Sequence, residues 1–186
     1  MKYTSVALVS LAIAAGGVAL FTPRDTAATP CVGAKALSTS SIAVGGETVE
    51  LTTFSCDAVV SAHKASVPTP LDSSVDPTCT DVCAESGSLP PTSEDCGTVF
   101  DAITIFNSSI STFSVSANRA QTLSFGTCRI FFQNFSPSSP VTFSWINLAT
   151  VATGAAAACF PPHQPVMSEG LCVAPDGAWR VGIAHS

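Results

Sequence analysis

Cations are scarce in this chain: seven Lys and Arg stand against thirteen Asp and Glu among 186 residues. Nucleic acid and anionic lipid surfaces are held by clustered cations, so neither is expected as a partner. Tyrosine occurs once, at Tyr3, and tryptophan twice, at Trp145 and Trp179, which leaves few residues for an aromatic sugar platform. After residue 20 no run reaches the ~18 consecutive apolar residues of a membrane helix, so no membrane insertion is expected. Catalytic signatures are missing as well. There is no Gly-x-Ser-x-Gly elbow and no His-Glu-x-x-His, and His63, His163 and His185 are far apart. Asp95 and Asp101 read as a helix-start acid and a solvated face rather than as an acid pair. No catalytic residue is assigned, and neither a cofactor nor a metal is expected.

What is present begins with a leader. Met1-Lys2 is basic, Val6 to Leu20 carries no charge, and Gly17-Val18-Ala19 offers a small-residue cleavage site. That pattern is a secretory signal peptide over residues 1–19. Its removal leaves six Lys and Arg against thirteen Asp and Glu, a net charge of −7. Secretion makes two sequons relevant: Asn107-Ser108-Ser109 and Asn134-Phe135-Ser136 are glycosylation acceptors.

Eight cysteines, at 31, 56, 79, 83, 96, 128, 159 and 172, suit a disulfide framework in a secreted chain of this size. A zinc site needs close ligand pairs with histidines nearby. Only Cys79 and Cys83 are close, and the histidines are scattered.

The chain divides at a Pro-rich stretch, residues 66–93, into a leader with a small β subdomain (20–78) and a main domain (79–186). Ile42 and Val44, then Val49 and Leu51, alternate around Gly45-Gly46 as a hairpin. In the main domain Ser93 reads as the N-cap of a helix, with Glu94 and Asp95 in its first turn. Cys96, Val99, Phe100, Ile103 and Phe106 form its apolar stripe, and Asn107-Ser108-Ser109 ends it. Phe113 and Val115 form a short strand and Ala117 to Ala120 a turn. Residues 122–135 then read as one central strand, with Gly126 marking a bulge or a close backbone approach. Phe131 and Phe135 lie on its second face. Ser144 to Cys159 spaces Trp145, Leu148 and Ala152 along one helical side. Strands at 171–173 and 179–183 flank the turn Pro175-Asp176-Gly177. The order helix-strand-strand-helix-strand-strand predicts an α+β fold, a disulfide-bonded sandwich of two helices on a mostly antiparallel sheet.

These positions suggest bridges. Cys96, in a first helical turn, faces Cys128 on the strand below, and Cys159, at a helix end, faces Cys172 on the next strand. Cys31–Cys56 and Cys79–Cys83 complete the expected set.

Two stretches, Cys79-Thr80-Asp81-Val82-Cys83 and Ser93-Glu94-Asp95-Cys96-Gly97 onward, together with Phe125-Gly126-Thr127-Cys128 and Gly170-Leu171-Cys172…Trp179-Arg180-Val181, resemble a family of secreted mushroom proteins. These are small cysteine-rich proteins sharing the domain of an ink-cap glycan-binding protein. The likeness covers residues 79–186 well and 31–78 loosely. It implies a compact helix/sheet fold and glycan binding without catalysis, with glycans or glycoproteins as partners. Neutral oligosaccharides suit the net charge of −7. A hydrophobin is excluded because no two cysteines are adjacent. The Asp95-Cys96 helix and Gly126-Thr127-Cys128 strand are also similar to fungal killer toxins and necrosis-inducing effectors, which makes an effector the alternative function. A structural extracellular protein without ligand is the third reading. The expected carbohydrate site is the rim of the final hairpin, where Asp176 accepts sugar hydroxyls and Trp179 offers an aromatic edge.

Overall fold

The structure, a computed structural model, describes residues 30–57, 78–85, 89–162 and 167–186. The expected signal peptide, His63, His163 and most of the proline-rich loop lie outside the described residues. The chain is a mixed α+β protein in which strands dominate. It runs β1 (Lys35–Val44), β2 (Glu47–Ser55), β3 (Thr80–Ala84), α1 (Ser93–Ser109), β4 (Thr112–Val115), β5 (Arg119–Phe125), β6 (Cys128–Asn134), β7 (Val141–Ser144), α2 (Trp145–Cys159), β8 (Glu169–Val173) and β9 (Trp179–His185).

Seven strands form one sheet in the order β1-β2-β5-β6-β9-β8-β3, and β4 pairs with β7 separately. Every pairing among them is antiparallel. The expected N-terminal subdomain is therefore not separate, because β2 pairs with β5 from Glu50 to Ser55 and continues the main sheet. The expected central strand is corrected too. Gly126 adopts φ +53°, the left-handed backbone that suits glycine, and the run turns back on itself there instead of bulging. The result is a β5–β6 hairpin pairing Phe125 with Cys128. The core prediction survives in β6, which is the middle strand and buried along all seven of its residues.

Strand alternation then sorts the side chains. Val49, Leu123, Ile130, Phe132, Val181 and Ile183 share one face and one buried cluster with both helices. α1 contributes Val99, Ala102 and Ile103, and α2 contributes Trp145, Leu148, Val151 and Ala155. The N-cap of α1 is Thr92 rather than Ser93, its hydroxyl accepting from the Asp95 N–H. Ser144 caps α2 in the same way, accepting from Asn147. The short β4–β7 ribbon brings Phe113 and Phe143 onto Phe132, Trp145 and Trp179. Phe132, Phe143 and both tryptophans are thus consumed inside the protein.

Two of the four expected disulfides stand: Cys31–Cys56 and Cys96–Cys128. The other two are exchanged, giving Cys79–Cys172 and Cys83–Cys159. Between Cys79 and Cys83 the chain is extended as strand β3. Four residues at ~3.3 Å each hold these cysteines ~13 Å apart, well beyond the ~7 Å reach of a bridge. Pairing of β3 with β8 places Asp81 opposite Cys172, so Cys79 reaches that strand. Cys83 reaches the end of α2 instead. Both bridges fasten an edge strand to the body of the molecule.

Candidate functional site

The final hairpin does not make the expected site. Its turn satisfies itself: the Ala178 N–H donates to Asp176 Oδ1 at 3.0 Å, Gly177 N–H to Ala174 O, and Ala174 N–H to Trp179 O. Asp176 is exposed, but the aromatic partner expected beside it is not. Trp179 is only 3% exposed. Its ring stacks on Phe132 at 5.8 Å and meets Phe143 at 5.2 Å. Its strand phase, shared with Val181 and Ile183, carries it into the core and removes it from the surface.

The sequon at Asn134 is also corrected. Asn134 is fully buried, and both hydrogens of its Nδ2 are committed, to Val115 O and Ser139 O at 2.9 Å each. Its Oδ1 accepts from Ser136 N–H at 2.8 Å. A glycan on Nδ2 would replace one of these donors and has no space around it. Asn107, in the other sequon, is half-buried near the end of α1.

A different concavity is open. Where α1 begins and α2 ends, the two helices leave a groove of about 470 Å³. Pro90, Pro91 and Phe100 form one side, Ala156, Phe160 and Pro161 the other, and Ile183 of the central sheet is beneath. Its origin is local. The prolines keep the chain extended up to the Thr92 cap, and Gly97 and Ala156 project little or nothing into the gap. The Cys96–Cys128 bridge fixes α1 to β6 at the same end. Phe100 and Phe160 are each half-buried, so both present part of a ring. Polar atoms come from Ser93 and Thr153, and the Thr153 hydroxyl donates to Ala149 O at 2.8 Å, leaving lone pairs to accept. Among the described residues no charged side chain lines the groove. Pockets of this size and mainly apolar lining, with a few polar groups to orient the occupant, are the usual form of small-ligand sites. Sequence reasoning missed it because Pro90-Pro91 read as loop and Phe100 as core.

The beginning of α1 is held by a compact polar clamp. Thr127 donates to the Asp95 carboxylate from its backbone N–H at 2.7 Å and its hydroxyl at 2.6 Å, and Thr92 N–H donates to Thr127 Oγ1 at 2.9 Å. These bonds hold the Asp95 carboxyl below its ordinary pKa, the Thr127 hydroxyl first and its N–H second, with smaller help from Thr92 and the charge of His185. The clamp ties the helix to the β5–β6 turn and thereby sets one side of the groove.

Among the described residues no group of three or more His, Cys, Asp and Glu could hold a metal ion. Nor is any helix among them long and apolar enough to cross a membrane. Comparisons of the chain with protein-family models, curated proteins and solved structures find no match.

Proposed function

We propose that the protein is a secreted, non-catalytic binding protein that takes neutral oligosaccharides in the groove between α1 and α2. The observation that carries this reading is the lining itself: an uncharged concavity of about 470 Å³ with part of a phenylalanine ring on each side and hydroxyls at Ser93 and Thr153. The C–H face of a sugar ring suits Phe100 or Phe160, and its hydroxyls suit the two side-chain oxygens. Four disulfides fit an oxidising extracellular setting. The resemblance to glycan-binding mushroom proteins points the same way. Hydrogen bonds to sugar hydroxyls compete with water and contribute only about 0.5–1.5 kcal/mol each. Single sugars should therefore bind weakly, and useful affinity requires longer chains or several copies on one surface.

An array of neutral oligosaccharides, followed by NMR titration of any binder, tests the reading. Phe100→Ala should weaken binding about tenfold, by loss of a stacking contact worth about 0.5–1.5 kcal/mol beyond its buried area. Asp176→Ala should leave it unchanged. Silence across the array, or perturbed amides clustered at the final hairpin instead of at Gly97, Phe100 and Thr153, would refute the assignment.

A further inference from the structure

The face of the sheet turned away from the helices carries a second feature, independent of the groove. Alternation along β6 sends Arg129, Phe131 and Gln133 to that face, and their neighbours on β9 are Ala184, Gly182 and Arg180. Phe131 is wholly buried. Its ring occupies the space over Gly182, where a Cβ would collide with it. The two guanidinium groups both address this ring, with Cζ 5.5 Å from its centroid for Arg129 and 5.7 Å for Arg180. Two of the seven cationic side chains of an acidic protein are therefore gathered around one aromatic ring.

Their hydrogen bonding differs. Arg180 donates from Nε to Gln133 Oε1 at 2.8 Å and from Nη2 to Pro30 O at 3.2 Å. Arg129 is only 6% exposed, yet its Nε and Nη2 have no hydrogen-bond partner among the described residues. Those two nitrogens form one edge of the guanidinium, the edge that meets two oxygens of an oxyanion side by side. An unpaired buried cation costs several kcal/mol. Burial pushes the Arg129 pKa down to about 10, and the charge of Arg180 adds to that, while Glu169 opposes it. The group still carries its charge at neutral pH. Glu169 lies in the same cross-strand row, beyond Ala184, but its carboxylate does not bond the free edge. On the other side Arg129 pairs in register with Ser124. Ser124 and Glu50 line a cavity of about 280 Å³ at the end of the sheet, on the strand next to Arg129.

We propose that the Nε/Nη2 edge of Arg129 is an oxyanion-binding site, with Arg180 as the second cation and a carboxylate, phosphate or sulfate group as the ligand. The oxyanion supplies the missing acceptors in pairs, and the Phe131 ring braces the guanidinium plane. Glu50 and Glu169 are the acids on the same face and hold the affinity down.

Titration of the secreted protein with sodium phosphate, sodium sulfate and sodium acetate, each matched in ionic strength with sodium chloride, provides the test. The arginine Nε–Hε resonances are followed by NMR, that of Arg129 being assigned through its own side chain to its backbone amide. A saturable shift of the Arg129 resonance is expected. Preference for phosphate and sulfate would define a tetrahedral oxyanion, and preference for acetate a carboxylate. Arg129→Lys keeps the charge and loses the two-point edge, so affinity should fall about tenfold or more. Glu169→Gln should raise it. If no anion gives a saturable Arg129 shift in the wild-type protein, or if Arg129→Lys binds as before, the site is refuted. The wild-type titration decides the matter even if the lysine variant fails to fold.

Discussion

Substituting Asn134 should be more damaging than its place at a strand end suggests. The side chain is fully buried at the junction of β6, β4 and the loop that follows β6. Asn134→Ala removes two donors and one acceptor at once, leaving Val115 O, Ser139 O and Ser136 N–H without partners. Each exchanged hydrogen bond is worth about 0.5–1.5 kcal/mol net, and each buried group left unsatisfied costs about 1–3 kcal/mol. Local relaxation can recover only part of this, so a loss of about 3 kcal/mol is the working figure. For a chain of this size that corresponds to a fall in Tm of about 6–12 °C, readable by circular dichroism with the disulfides intact. Asn134→Asp sharpens the reasoning. A carboxylate still accepts from Ser136 but points an anionic oxygen at two carbonyl oxygens. It should therefore be worse than alanine at pH 7 and improve toward acid pH, where the protonated acid regains one donor. A loss below about 1 kcal/mol for alanine, or an aspartate variant as stable as wild type at pH 7, would refute this account. A glycan found on Asn134 in folded protein would do the same.

Non-reducing peptide mapping should recover Cys79 joined to Cys172 and Cys83 joined to Cys159; a peptide linking Cys79 to Cys83 would contradict the extended course of β3. Asp95→Asn should destabilise the protein near neutral pH. The folded pKa of Asp95 is lowered, so its contribution is fully present above the unfolded value near ~3.9 and is lost as pH falls through the lower folded value. The stability gap between the variant and wild type should accordingly close in strong acid, and a gap independent of pH in urea titrations would show that the Thr127 clamp is not electrostatic in origin.

The elements that local chemistry controls were legible in the sequence. Both helices sit within a residue of where apolar spacing and capping side chains put them. The closing hairpin around Pro175-Asp176-Gly177 was readable from its turn residues. So was the buried character of Cys128, Ile130 and Phe132, because a strand of period two states which residues share a face. Trp179 alternates with Val181 and Ile183 and so carries an inward phase, yet the expected site put its edge at the rim; its burial against Phe132 and Phe143 needed the β4–β7 ribbon to deliver the second ring.

What the tertiary structure decided is everything that depends on which distant segments meet. Gly126 could have bulged a strand or turned a hairpin, and the left-handed turn was selected by β5 and β6 both finding partners in one sheet. Cys79 and Cys83 look paired in sequence, but β3 docked on β8 holds them apart and hands each to a remote partner. The Asn134 sequon is a pattern of three residues that carries no information about Val115 or Ser139, which bury it. Arg129 and Arg180 are 51 positions apart in the numbering. Only the β6–β9 register, with Phe131 opposite Gly182, brings both guanidinium groups to one ring. A strand's alternation tells each side chain which face it occupies, while pairing energy summed over the whole sheet determines what it meets there.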